Sequence, residues 1–372
     1  MRVVIAPDAF KGGPDGLKIA QAMARGVFGA GASAKLLPMA DGGEGTADVI
    51  RAFSGQGERV PVDIVDAFGR PAKGHYDRIG AMAVVEAAVG SGFIEASQRP
   101  STVEATTSLG TGQLVQRALA DPQVAEVVVA LGGTGCVDGG LGLLEGIGWQ
   151  FYDGAGRRLP PMTRSLAEVR EALPSTLVKP LVGWWDVSVP LLGELGSVRG
   201  FGPQKGIRSE DLERMEAAMA SFGRVLQEQS LREGLVEISG AGAAGGMGMA
   251  ISAAGGHLRP GAEQVAQFIG LDEHLAHADL AMTGEGRLDA QTKAGKVVAT
   301  VAAHAHRLNV PTVVLAGSID LASPSWLSSL NAYAFSIVPG PMALEHAMAD
   351  TERLVQAQAF TVMTLLERIR FH

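Results

Sequence analysis

The chain has 372 residues, 47% of them hydrophobic and 19% charged, which is a folded composition and excludes a disordered chain. Its net charge of −8 gives no general attraction to nucleic acid or anionic membranes, so any phosphate site has to be local. A single cysteine, Cys136, excludes an intramolecular disulfide and a cysteine-based zinc cluster and suits a reducing cytoplasm, and the length exceeds what one core usually supports, so two domains are expected.

Arg2 to Ala6 is a β-branched run that ends at Pro7-Asp8-Ala9-Phe10-Lys11-Gly12-Gly13. It reaches Asp8 too soon for a signal peptide. Leu17, Ala20, Ala24 and Val27 then repeat at helical spacing, giving strand, loop, helix. Asp8 and Lys11 stand at the loop edge. Lys11 is either solvated or set to meet a phosphate or carboxylate. Ala34–Leu37 predicts a second strand, and Pro38-Met39-Ala40-Asp41-Gly42-Gly43-Glu44-Gly45-Thr46 turns it into a helix carrying Val49, Ile50 and Phe53. Ligands in open α/β sheets collect at such turns. Asp41 and Glu44 either cap the helix, or hold a metal or accept a proton while the glycines bring N–H groups close to an anion.

From about Val60 the runs shorten to Val60–Val65, Gly74–Ile79 and Met82–Ala87, separated by Gly and Pro, which predicts hairpins in a second domain. Thr106-Thr107-Ser108 leads into a helix at Gln113–Leu119, its hydroxyls placed as caps. Val127–Leu131 is an apolar strand opening into Gly132-Gly133-Thr134-Gly135-Cys136-Val137-Asp138-Gly139-Gly140, a generic anion loop. Cys136 reads as a small buried apolar residue. Pro180–Val187 carries Trp184, Trp185 and Asp186, with the tryptophans in the core, and a charged helix is expected from Glu210 to Gln229.

Gly240-Ala241-Gly242-Ala243-Ala244-Gly245 matches the dinucleotide pattern G-x-G-x-x-G after an expected strand at Leu235–Ser239, but the acid that should end a strand twenty residues on is misplaced. Ile238–Gly256 is uncharged for nineteen residues, yet seven are Gly, so it is not a membrane span. Asp279–Met282 predicts a strand running into Thr283-Gly284-Glu285-Gly286-Arg287-Leu288-Asp289, with a helix from about Lys296. Strands at Val310–Ala316 and Ala332–Val338 and a last helix through Val355, Ala359, Val362, Leu366 and Ile369 return to the parallel-sheet texture. The expected architecture is two α/β domains: a Rossmann-like parallel-sheet domain from residues 1–60 and 280–372, with 61–279 inserted as a second α/β domain. An active site is expected in the cleft between them.

Pro7-Asp8-Ala9-Phe10-Lys11, Met39 to Thr46, Phe201-Gly202-Pro203-Gln204-Lys205-Gly206, Gly240 to Gly246, Thr283 to Asp289 and Ser336-Ile337-Val338-Pro339-Gly340-Pro341-Met342 together resemble the bacterial glycerate kinase family, class II. The resemblance spans essentially the whole chain. It implies transfer of the ATP γ-phosphoryl to D-glycerate with Mg²⁺ in the cytoplasm, usually to 2-phosphoglycerate, with the 3-phosphate as the other outcome. The family commonly has Ser at position 9, Ser and Asn at positions 134 and 137, and Thr-Asn at 187 and 188; here Thr134 keeps a hydroxyl and Val137 loses an amide.

No G-x-x-x-x-G-K-[ST] loop exists, because Gly295-Lys296 is followed by Val297 and lacks the earlier glycine. Within the resemblance, N–H groups of Gly132, Gly133, Thr134 and Gly135 with Lys205 hold the phosphates, and Asp41 is the base. Lys11 and Arg287 pair with the glycerate carboxylate, Asp8, Glu44 and Glu285 line the substrate, and Asp186 and Asp289 take Mg²⁺. The rivals are an NAD-dependent oxidoreductase of a small hydroxy acid built on Gly240–Gly245 and a non-catalytic glycerate-binding regulator. No nucleic-acid or membrane partner is expected, and nothing in the sequence sets the oligomeric state.

Overall fold

The computed structural model describes residues 1–95, 98–99, 101–289, 292, 295–320 and 323–370. Its strands in chain order are β1 Arg2–Ile5, β2 Ser33–Leu36, β3 Glu58–Val65, β4 Pro71–Ile79, β5 Met82–Glu86, β6 Glu126–Ala130, β7 Gln150–Tyr152, β8 Glu171–Leu173, β9 Leu181–Trp185, β10 His257–Pro260, β11 Leu280–Leu288, β12 Thr312–Ile319 and β13 Ala332–Ser336. The helices that matter below are α1 Gly16–Gly29, α2 Thr46–Ser54, α3 Leu109–Ala120, α4 Leu141–Gly146, α5 Leu212–Ser230, α6 Ala243–Ala253, α7 Val297–Arg307 and α8 Thr351–Arg370. Contacts divide the chain into two compact units, one of Met1–Asp41, Asp48–Phe53 and Ala262–His372, the other of Gly42–Ala47 and Ser54–Gly261. Sequence texture puts the changes near residues 60 and 280 instead.

The first unit is a five-stranded, wholly parallel sheet in the order β13-β12-β11-β1-β2. Side chains alternate across a strand, and β12 shows it: Val313 and Leu315 pack with residues of α1 and α8, whereas Val314 and Ala316 pack with Val298 and Ala302 of α7. Helices therefore cover both faces, which is why β1 reads as a continuous apolar run. Gly26 lets α1 approach α8, since a Cβ there would stand 2.5 Å from the carbonyl oxygen of Gln356. From β1 the chain moves outward to β2 on one side, while β11, β12 and β13 extend the sheet on the other. The order thus reverses between β1 and β11, the position where ligands of open parallel sheets bind.

The second unit is a six-stranded mixed sheet, β10-β9-β6-β5-β4-β3, with β3, β4 and β5 antiparallel and β5, β6, β9 and β10 parallel. Its core joins strand residues Val127, Val129 and Leu181 to Leu114, Val115, Leu144, Phe222 and Met249 of α3, α4, α5 and α6. The uncharged Ile238–Gly256 stretch is used here: α6 is buried along its whole length. No helix among the described residues is long and apolar enough to cross a membrane.

Two local expectations are corrected. Leu235–Ser239 is turn, not strand, because it bonds its own backbone, Glu237 N–H to the Gly234 carbonyl at 3.2 Å and Ala241 N–H to the Ile238 carbonyl at 2.9 Å. Thr283–Leu288 is not a loop but the continuation of β11, since β12 supplies a ladder as far as Leu288 opposite Ile319. Gly284 permits this close pairing; a Cβ there would lie 2.2 Å from the Leu315 carbonyl oxygen.

Candidate active site

In the first unit the carboxyl ends of β1, β2 and β11 converge at the switch point. Leu37 N–H donates to the Ile5 carbonyl at 2.8 Å, Met39 N–H to Pro7 at 2.9 Å, and Asp8 N–H to Gly284 at 3.0 Å. This ladder carries Asp8 beyond β1 and Asp41 beyond β2 to the Glu285 of β11. The three carboxylates repel one another's charge. Burial first, then the Asp41 carboxylate, push the Asp8 carboxyl well above the ordinary range; Glu285 adds to the rise, while the Ala9 N–H at 2.8 Å and the Lys296 ammonium oppose it. Glu285 is 5% exposed, and burial raises its carboxyl to about 7. Asp289 and Asp41 push the same way, against the Thr292 hydrogen bond and Lys296. The Thr292 hydroxyl donates to Glu285 Oε1 at 2.6 Å and accepts the Asp289 N–H at 3.1 Å. Buried carboxyls with like-charged neighbours are a usual mark of a functional site.

The two cations expected beside this cluster, Lys11 and Arg287, are exposed. The Arg287 side chain is 74% exposed and pairs with Asp289 at 3.3 Å. Lys11 is exposed, and its backbone nitrogen lies 3.3 Å from where a Gly286 Cβ would be. The ammonium acting on Asp8 and Glu285 belongs to Lys296, at the N-terminus of α7. Sequence reading passed over Lys296 and Thr292. Gly295-Lys296 opening a helix was the available signal, and its failure to complete a phosphate loop hid it.

Glu285 also sets an expected pH dependence. The folded chain holds this proton to about pH 7 while the unfolded chain releases it near 4.5, so the folded state binds more protons across that window. Stability is therefore full below pH 4.5 and falls as pH rises to 7, by at most roughly 3 kcal/mol from this group. Glu285→Gln should flatten that part of the decline in melting temperature; an identical pH profile for both proteins would refute the assignment.

In the second unit the Gly132 loop leaves the carboxyl end of β6, and Asp186 leaves that of the adjacent β9. Leu131 N–H donates to the Trp184 carbonyl at 2.9 Å, and a Cβ on Gly132 would stand 3.2 Å from Asp186 Oδ2 and 2.5 Å from the Gly43 Cα. The absence of a side chain at Gly132 is thus what lets the Gly42–Ala47 segment lie against the loop. The N-cap of α2 is Gly45, so neither Asp41 nor Glu44 occupies the capping position. Thr46 instead donates its hydroxyl to the Gly43 carbonyl at 2.7 Å, and Glu86, a residue the sequence did not single out, accepts the Ala47 N–H at 2.8 Å. Glu44 lies beside Gly133.

Lys205 is 6% exposed, and its ammonium donates to Thr134 Oγ1 at 3.2 Å and to the Cys136 carbonyl at 3.1 Å. Burial lowers the lysine's proton affinity, and the charges of Asp186 and Asp138 oppose that. Cys136 is fully buried and burial raises its thiol strongly, so it is no nucleophile. At the start of α3 the Thr107 hydroxyl accepts the Leu109 N–H at 3.0 Å, as expected of a cap, whereas the Ser108 hydroxyl accepts the Leu143 N–H of α4 at 2.8 Å. The Gly240–Gly246 run lacks the preceding strand a dinucleotide fingerprint needs, and it is packed shut, since a Cβ on Gly245 would lie 2.2 Å from the Cys136 carbonyl oxygen. Among the described residues no three His, Cys, Asp or Glu side chains group to hold a metal by themselves.

An α/β protein with carboxylates at the switch point of one sheet, and a glycine loop over a buried ammonium at the other, has the parts of a phosphotransferase. The profile of the glycerate kinase family matches residues 3–367. The chain is 33% identical over 369 residues to a glycerate kinase of Halalkalibacterium halodurans, covering 96% of each, and 32% identical over 379 residues to one of Neisseria meningitidis, covering 98% of this chain and 99% of that one. It superposes with a TM-score of 0.81, at 33% identity over the full length of both chains, on the crystal structure of a provisionally assigned glycerate kinase 2 from Salmonella typhimurium LT2. The chain belongs to the glycerate kinase family, and it is an enzyme of that kind.

Proposed function

We propose that this enzyme transfers the γ-phosphoryl group of ATP to D-glycerate, with 2-phosphoglycerate favoured over 3-phosphoglycerate. The observation that carries the reading is the Lys205 ammonium, buried under Gly132–Gly135 with Thr134 and Cys136 as its partners. In a chain of net charge −8 this is a local positive site suited to a phosphate chain, and the ammonium carries the contact because the Gly132 and Gly135 N–H groups already donate to the Gly42 and Ser91 carbonyls at 3.2 and 2.8 Å. Glycerate is handled by the carboxylates of the first unit. Asp41 takes the proton of the attacking hydroxyl, while Asp8 and Glu285, which hold protons more firmly than ordinary carboxyls, donate hydrogen bonds to substrate oxygens, and Glu44 contributes from the Gly42–Ala47 segment. The glycerate carboxylate pairs with Lys11 and Arg287.

Mg²⁺ takes hard oxygen ligands and commonly needs only one or two protein carboxylates besides phosphate oxygens and water. The carboxylates of Asp186 and Asp289 fit that chemistry and are assigned to it. When bound, the ion neutralises charge on the phosphate oxygens. The enzyme works in the cytoplasm on two small-molecule substrates.

ADP release should require D-glycerate, ATP and a divalent cation together, and NMR of the product should show which hydroxyl carries the phosphate. Turnover that persists in excess chelator would remove the metal from the scheme. ATP consumption without glycerate would remove glycerate as acceptor.

A further inference from the structure

Asp138 belongs to the second Asp-Gly-Gly of the chain, and the scheme above gives it no part. Its side chain is 0% exposed within the apolar core of the second unit. Oδ2 accepts the Ser108 N–H at 2.7 Å, the Ser108 hydroxyl at 2.7 Å and the Gly142 N–H at 3.1 Å; Oδ1 accepts the Gly140 N–H at 3.0 Å. One carboxylate therefore ties the first residues of α3 and of α4 to the far end of the glycine loop. The loop is held from behind as well. Gly139 N–H donates to the Gly245 carbonyl at 2.9 Å, and Ala244, Gly245 and Gly246 adopt left-handed φ values of 55°, 70° and 99° that present that carbonyl. A Cβ on Gly246 would stand 2.6 Å from the Gly139 Cα, so this contact accepts only glycine.

A charged group sealed in apolar surroundings is costly unless fully hydrogen-bonded, and a polar residue used merely to fill the core has cheaper replacements. Asp138 sits two residues beyond Cys136 and four beyond Thr134, the two acceptors of the Lys205 ammonium. We propose that Asp138 is a positioning residue for phosphoryl transfer: by anchoring the loop to α3 and α4 it fixes the Thr134 hydroxyl and the Cys136 carbonyl, and through them the Lys205 ammonium, against the nucleotide phosphates. This rests on the reading of Gly132–Gly135 and Lys205 as the nucleotide site.

The test uses the whole enzyme in steady-state assays with ATP and D-glycerate each varied, and calorimetry with ADP. In Asp138→Asn the amide nitrogen meets N–H donors where an oxygen accepted them. The KM for ATP and the Kd for ADP should rise tenfold or more, while the KM for glycerate stays within threefold. Ser108→Ala keeps the carboxylate and removes one donor to it; the same split, smaller, is expected, and it serves as the test if Asp138→Asn does not fold. A loss of kcat in proportion to folded protein, with both KM values and the ADP affinity unchanged, would make Asp138 a structural group and overturn the proposal. Wild-type enzyme that turns over ATP but whose ADP affinity is indifferent to Lys205→Met would instead remove the nucleotide-site reading beneath it.

Discussion

Asp41→Asn should lower kcat by about 10²–10⁴, the range for removing a general base, with the fold and the KM for ATP little changed. Asn keeps the size of Asp41 and part of its hydrogen bonding but cannot take a proton at neutral pH. The alternative role, a helix cap, would tolerate the change, because Asn and Asp serve almost equally there. The cap position of α2 is in fact Gly45, and Asp41 acts instead on the Asp8 and Glu285 carboxyls at the sheet's switch point. The substitution also deletes a negative charge beside Asp8, so Asp8 should give up its proton more readily in the variant, and a shift of the pH–rate profile toward lower pH should accompany the loss. Steady-state kinetics at saturating ATP, with circular dichroism as the control for folding, decides the matter. A kcat within about threefold of wild type would return Asp41 to a structural role, given the size of effect a base carries.

Lys205→Met should cost about 10²–10³ in kcat/KM for ATP, comparable to losing a preorganised charge-stabilising donor. Methionine matches the length of the stem and removes only the ammonium, and the site is nearly closed to solvent, so water cannot readily take its place. Stability should change little by comparison: a buried charge disappears, while Thr134 Oγ1 and the Cys136 carbonyl each lose one donor. Lys205→Arg is not expected to restore activity, because the neighbouring space is taken by Arg99, whose guanidinium reaches the Gln204 carbonyl at 2.8 Å. A melting temperature near wild type together with unchanged kinetics for Lys205→Met would remove the ammonium from the reaction.

Much of the first unit's sheet was legible because parallel strands covered on both faces read as unbroken apolar runs, as in Val3-Val4-Ile5 and Val313-Val314-Leu315. A loop was legible where a glycine cluster follows such a run, as after Leu131. Less legible were segments whose partner lies far along the chain. Gly284-Glu285-Gly286 looks like a turn until β12 is there to pair with it. Leu235–Ser239 looks like a strand until its own turns claim its N–H groups. Lys11 and Arg287 carry charge at the expected loop edges, but that both are exposed and that Arg287 pairs with Asp289 could be read only from the fold.

The sequence by itself determined the class of fold and the family, and it singled out the stretches assigned to the proposed site: Asp8 to Gly13, Pro38 to Thr46, the Gly132 loop, Asp186, Lys205 and Glu285 to Asp289. Residue type and local spacing are sufficient for that, since strand ends and glycine turns are local features. Only the tertiary structure decided which of those groups share a field. Asp8, Asp41 and Glu285 lie far apart in the chain, yet the Asp41 charge helps raise both the Asp8 and the Glu285 carboxyls because β1, β2 and β11 are neighbours. Two Asp-Gly-Gly triplets, alike in sequence, diverge completely: Asp41 stands at a sheet's carboxyl edge, while Asp138 is sealed in a core with four donors around it. Burial and the distance to other charges set a carboxylate's role, and both are properties of the folded chain rather than of its local sequence.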